Sequence, residues 1–147
     1  MILHVWSVCC KRAIVDRDTN TVSLIEQIET ISAHVLQRMA EAGETAAAPL
    51  QFEIVTLWVR DPADEPAQSR YRIEILFPDG RSEYVGDPAD VDLRSYVRLR
   101  SRAHFEGMPI RGGGRYYFSV QLEESADNWT EVGRIPIDVT VSEQTSG

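Results

Sequence analysis

The sequence predicts an all-β protein, one sandwich of two antiparallel sheets built from about seven strands. Two observations predict it. Apolar and polar residues alternate with period two in several segments, which is how a sheet with one buried and one wet face reads. Clusters of turn-forming residues separate those segments at short intervals, as they do in sandwiches.

In chain order, "ILHVWSVC" (2–9) is rich in β-formers and reads as a strand. "DRDTN" (16–20) follows as a turn. A strand is expected from about 21 to 31, although Leu24, Ile28, Ile31 and Val35 also fit helical spacing. The Ala/Glu-rich stretch over 32–44 reads as a loop or one short helix, and "TAAAP" (45–49) as a flexible connection. "LQFEIVTLWV" (50–59) is apolar on both faces after Ile54, the mark of a central strand.

The clearest alternation comes later. Tyr71, Ile73, Ile75 and Phe77 share a face. So do Leu99, Ser101, Ala103 and Phe105, with Arg98, Arg100, Arg102 and His104 opposite. Tyr116, Phe118, Val120 and Leu122 form a third set, and Ile135, Ile137, Val139 and Val141 a fourth. Pro136 has no N–H for a ladder, so its strand is expected to be an edge or bulged there. "DPADEPAQS" (61–69), "PDG" (78–80), "GDPAD" (86–90), "RGGG" (111–114) and "ESADN" (124–128) read as turns. A single domain is expected over 1–142, with 143–147 as a frayed tail.

The chain has 147 residues and a net charge of −8. A protein so acidic is repelled by nucleic acid and by anionic membrane surfaces, so neither is expected as a partner. Cys9 and Cys10 are adjacent, so on a strand they point to opposite faces, one to the core and one away. They are the only cysteines, and a reducing, cytoplasmic setting fits them best. The apolar start lacks the preceding positive charge and the cleavage site of an export signal. No stretch approaches the ~18 apolar residues that span a bilayer.

"VDRDTNTVSLIEQIE", "FEGMPIRGGGRYYFSVQLE" and "RIPIDVTV" follow one another in an order similar to that of a bacterial family of proteins of unknown activity. The resemblance touches about half the chain and rests on structural motifs. It implies an immunoglobulin-like sandwich and carries over no functional residues.

Five features are candidate sites. Gly107 and Gly112 have P-loop spacing, but Gly113 and Gly114 stand where Lys and Ser/Thr are required. A strand, not a helix, follows them, so the glycines read as a turn. Asp16, Asp18 and Asn20 match the first ligands of a calcium loop, but Thr21 and Gln27 replace its essential Gly and Glu. A looser site with Asp87, Asp90 or Asp92 is the alternative to a plain Asx turn. His4, His34 and His104 are dispersed, and no local signature joins Cys9 or Cys10 to a histidine. Asn128-Trp129-Thr130 is a sequon, of consequence only in a secretory pathway.

The most asymmetric feature is the stretch from Arg94 to Arg115, six arginines against one acid, Glu106. Arg98, Arg100, Arg102, Arg111 and Arg115 are the candidate contact face. Arginine forks suit carboxylates and phosphates, and cross-strand pairing with acids of the same protein is the alternative. The function expected is non-catalytic, with no cofactor: contact with a protein partner or self-association. A module for an anionic small molecule or glycan comes second, and an enzyme of unrecognised type third.

Overall fold

The computed structural model describes residues 1–36 and 46–144. Among these residues eleven strands are formed: β1 (Ile2–Val15), β2 (Val22–Gln27), β3 (Thr30–Leu36), β4 (Ala46–Ala48), β5 (Phe52–Arg60), β6 (Ala67–Leu76), β7 (Ser82–Leu93), β8 (Arg98–Phe105), β9 (Met108–Ile110), β10 (Gly114–Ser125) and β11 (Asn128–Gln144). Among the described residues there is no helix. One sheet has the order β2-β1-β5-β8 and the other β3-β11-β10-β6-β7, while β4 and β9 form a small third ladder. The two large sheets pack face to face as an all-β sandwich.

The alternating faces predicted for β6 and β10 are the buried ones. Tyr71, Ile73, Ile75, Tyr116, Phe118, Val120 and Leu122 all join one core with Phe52, Ile54 and Trp58 of β5. Phe52 stacks on Phe105 of β8 with ring centroids 4.6 Å apart, tying β5 to β8 inside the core. β5 is central, between β1 and β8, which is why its outer residues Glu53 and Val55 are buried as well as its inner ones.

Several local expectations are corrected. The single strand near 21–31 is two strands. The second, β3, runs through Leu36 and lies parallel to the end of β11, from Thr30 beside Asp138 to Leu36 beside Gln144. The loop or helix expected over 32–44 is therefore strand over 32–36, and its remainder lies outside the described residues. The connection at 45–49 contains β4, which pairs with β9. Gly86–Asp90, expected as a turn, lies inside β7, where the register opposite β6 shifts between Tyr71 and Ile73. Gly86 takes φ +64 there, the left-handed backbone that a bulge of this kind asks of glycine. β11 continues to Gln144. Pro136 lies upstream of the β3 pairing, so β11 has a free edge at that point, as expected.

The three glycines connect β9 to β10, strand to strand. Gly112 and Gly114 take φ +75 and +137, and a Cβ on Gly114 would stand 3.0 Å from Pro78 Cγ. The Tyr116 hydroxyl clamps the turn, donating to Gly112 O (2.6 Å) and accepting the Arg111 N–H (2.7 Å).

β1 is bent twice. Its register against β5 shifts between His4 and Trp6. A second change of phase comes near Lys11. Ile28 N–H donates to Cys9 O, and Asp16 N–H donates to Thr21 O. In a regular antiparallel ladder, residues bonded to one neighbour share a parity, and 9 and 16 do not. Beyond the change, Ala13 turns onto the face that holds Cys10. Cys10, Ala13 and Val55 then form a second, smaller apolar cluster on the outer face of the β2-β1-β5-β8 sheet, flanked by Trp6, Val8, Val22 and Leu24.

Candidate functional site

The outer face of the four-stranded sheet is the candidate site. After its bend, β1 points the backbone of Ala13 towards β5, but β5 begins only at Phe52. Side chains close the gap. Glu53, 7% exposed, accepts the Ala13 N–H on Oε2 at 2.7 Å. Its Oε1 accepts from Arg102 at 2.8 Å, and Arg102 also donates to Ala13 O at 3.0 Å. A carboxylate and a guanidinium thus replace a stretch of missing strand. Among the described residues, no buried side-chain nitrogen or oxygen lacks a partner.

Beside this clamp lies a groove of about 520 Å³, lined by Val15, Leu57, Tyr96 and Leu99 together with Asn20 and the three arginines of β8. The arginines are not equivalent. Arg102 is held as described. Arg100 donates to both O (3.0 Å) and Oδ1 (2.8 Å) of Asn20, fastening the β1–β2 turn to β8. Arg98 is exposed, and its guanidinium has no hydrogen-bond or ion-pair partner among the described residues. Tyr96 is 68% exposed at the same rim.

Arg111 and Arg115 belong to other surroundings. Arg111 meets Asp79 (3.1 Å) and lies over the Phe77 ring. Arg115 grips Asp138 with Nε and Nη2 (2.9 and 3.2 Å), across the β10–β11 pair in the opposite sheet. That guanidinium holds the Asp138 carboxyl below the usual carboxylate range. Arg94 folds back on Asp92 at 2.8 Å, and its hydrogen bonds bring that carboxyl down to about 2. The structure therefore gathers Arg98, Arg100 and Arg102 on one face and leaves Arg111 and Arg115 elsewhere.

Asp16 Oδ1 accepts the N–H groups of Asp18 (2.8 Å) and Thr19 (3.1 Å), as an Asx turn does, and these bonds lower its pKa. Asn20 Oδ1 is taken by Arg100. Asp87, Asp90 and Asp92 lie on β7 of the other sheet. Among the described residues, no group of three or more His, Cys, Asp or Glu side chains is placed to hold a metal ion.

Both cysteines are free and buried, Cys9 in the main core and Cys10 in the outer cluster. They do point to opposite faces, but the outer one is covered too. Burial pushes the Cys9 thiol up to about 12 and raises that of Cys10 as well, so neither is a ready thiolate at neutral pH.

Trp129 is partly buried on β11. It stacks on Arg72, whose guanidinium lies 4.3 Å from the Trp129 ring and 4.3 Å from the ring of Tyr84. Arg72 also donates to Gln121 Oε1 at 2.7 Å. The outer face of the five-stranded sheet is thus covered by its own paired side chains.

One cluster has no signal in the sequence. His4 Nε2 meets Ser7 Oγ at 2.8 Å, and Ser7 Oγ meets Thr56 Oγ1 at 2.8 Å. The irregularity in β1 turns His4 and Ser7 to the same side, which an alternating strand would not do at this spacing. Burial lowers the His4 pKa. A histidine depressed in the folded state favours folding above its unfolded value, ~6.5, and that contribution is lost as pH falls through it. The parent is expected to melt at lower temperature on going from pH 7.5 to 5.5. His4→Asn should show a shallower decline, and equal declines in the two would remove His4 as the cause.

Among the described residues, no helix is long and apolar enough to cross a membrane. No family model matches the chain, and no curated protein matches it.

Proposed function

We propose that this chain is a non-catalytic protein-interaction module of the cytoplasm that holds an acidic, partly apolar surface of a partner protein against the outer face of its four-stranded sheet. One observation carries the reading. Arg98 has no partner among the described residues and stands beside an apolar groove floored by Leu57 and Val15, in a protein of net charge −8. A groove edged with arginine attracts an acidic surface on a partner. Arg100 and Arg102 frame the groove while already engaged, which makes its rim rigid and lowers the ordering cost of contact. The free, buried cysteine pair supports a reducing compartment.

The test is retention of a partner by the immobilised protein. Retention should weaken as salt rises, because exposed charges are screened within about 10 Å at 0.1 M. Arg98→Glu combined with Tyr96→Ala should melt at the parental temperature, since both positions are exposed. That variant should lose at least tenfold in affinity for the retained partner. Undiminished binding overturns the reading.

A further inference from the structure

We propose that the open edge of β8 receives the partner as an added β-strand, one that alternates acidic and apolar residues. The inference rests on the interaction reading above and specifies its geometry.

The phase of the β5–β8 ladder shows which backbone groups are unused. Arg60 N–H donates to Val97 O at 3.1 Å. Hydrogen-bonded pairs recur every second residue along an antiparallel ladder. Opposite β5, the residues that turn their N–H and C=O inward are therefore Leu99, Ser101, Ala103 and Phe105. Arg98, Arg100, Arg102 and His104 turn theirs outward, and among the described residues no other strand is paired with β8 on that side. The same four residues carry their side chains on the outer face, so backbone donors and positive charge are offered together.

The other edges are protected or differently placed. Exposed edges invite pairing, and proteins blunt them with proline, bulges and short length. β7 has a bulge with Gly86 and Pro88 in its middle, and acids at Asp87, Asp90 and Asp92. β2 is only six residues long, and Glu26 takes φ +53 within it. β3 leads into residues outside the described set. β8 has eight residues, no proline, no glycine and no register shift.

The chemistry of the incoming strand follows from the two faces of β8. Like charges directly opposite one another destabilise a strand pair, so β8 does not pair with β8 of a second copy. Acidic side chains opposite Arg98 and Arg100 relieve that repulsion. On the inner side, Leu99 and Ala103 pack against the core but are only half covered. Next to them is a cleft of about 200 Å³ between Ala103 and the β7 bulge at Val85, Asp87 and Ala89. Small apolar side chains on the added strand would enter it. This is recognition by strand addition, in which main-chain bonds supply affinity and alternate side chains supply specificity.

The probe is a labelled peptide alternating glutamate and valine, with a lysine/valine peptide as control. The parent protein should bind the first and not the second. Arg100→Ala removes one charge and keeps the outward N–H, and should weaken binding a few-fold. Arg100→Pro removes the N–H too. Because that N–H points away from β5, no ladder bond is lost and the fold should survive, as it does for prolines on strand edges. It should bind at least tenfold more weakly than Arg100→Ala.

Amide exchange on the parent gives an answer independent of any variant. With peptide bound, the amides of Arg98, Arg100, Arg102 and His104 should slow at least tenfold, while those of Leu99, Ser101 and Ala103 are slow throughout. Binding without protection of the four, or equal binding by Arg100→Pro and Arg100→Ala, overturns strand addition and leaves the interaction reading standing. Absence of peptide binding also overturns strand addition. The interaction reading fails separately, if the partner is retained unchanged by the Arg98→Glu, Tyr96→Ala protein.

Discussion

Glu53→Ala is expected to destabilise the protein by about 2–3 kcal/mol. Leaving a buried donor unsatisfied costs about 1–3 kcal/mol, and the substitution does this to the Ala13 N–H. It also strips Arg102 of its carboxylate. Arg102 is 43% exposed, so water compensates much of that second loss and it is counted as a few tenths only. Breaking the clamp frees the end of β1, to which β2 is paired. Arg102→Ala should therefore cost less than Glu53→Ala, because Glu53 would keep its bond from Ala13. Denaturant melts of both variants and of the double replacement check this. Coupling between the two positions of about 0.5 kcal/mol or more is expected. A Glu53→Ala cost within 0.5 kcal/mol of zero would show that water replaces the carboxylate freely and that the clamp is not structural.

The clamp also explains why the site was only half legible in the sequence. That Arg98, Arg100 and Arg102 share a face follows from the period of a strand, and the structure places them so. Their division of labour does not follow. It depends on Glu53, Ala13 and Asn20, which come from other strands and a distant turn, and no local pattern joins them. By local charge and strand period alone the arginines are alike, and Arg111 and Arg115 group with them. Of these five, only Arg98 has no hydrogen-bond or ion-pair partner among the described residues, and Arg115 is engaged with Asp138 across a hairpin.

For the fold, strands buried on one or both faces were legible because burial itself imposes the pattern. β5, β6, β10 and the inner face of β8 are examples. Features made by one or a few extra residues were not. A one-residue bulge reverses the parity of every residue after it, as near Val5 in β1, whereas the two extra residues at Gly86–Pro88 in β7 shift the register and keep the parity. The same Gly-Asp-Pro chemistry that makes a turn also makes a bulge, which is why 86–90 looks like a turn in the sequence. β4 and β9, three residues each, are too short to show any period. The parallel pairing of β3 with β11 joins opposite ends of the chain and leaves no local trace.

Trp58→Ala should have the largest effect on stability, about 3–5 kcal/mol, the range for deleting a buried large aromatic. Trp58 is fully buried on β5, edge-on to His4 at 5.6 Å and tilted against Tyr71 at 5.5 Å. It therefore links β1, β5 and β6 across the sandwich. Its indole N–H donates to Ser101 Oγ at 2.9 Å, which fixes the middle of β8. Trp58→Phe keeps most of the apolar surface but orphans the serine, and should cost about 1–2 kcal/mol. Urea unfolding followed by circular dichroism measures both, with an unchanged slope showing that the folded state stays compact. The same substitutions report on the proposed binding edge. Without the indole bond, the amides of Leu99 and Ser101 should exchange faster relative to global unfolding, while those of Ile73 and Phe118 should follow global stability alone. Loss of β8 order in Trp58→Phe should then weaken the proposed capture of an acidic partner, although Trp58 itself lies on the opposite side of the sheet. If Trp58→Ala costs under about 1 kcal/mol, the sheets close over the gap and Trp58 is not what holds β8 in place.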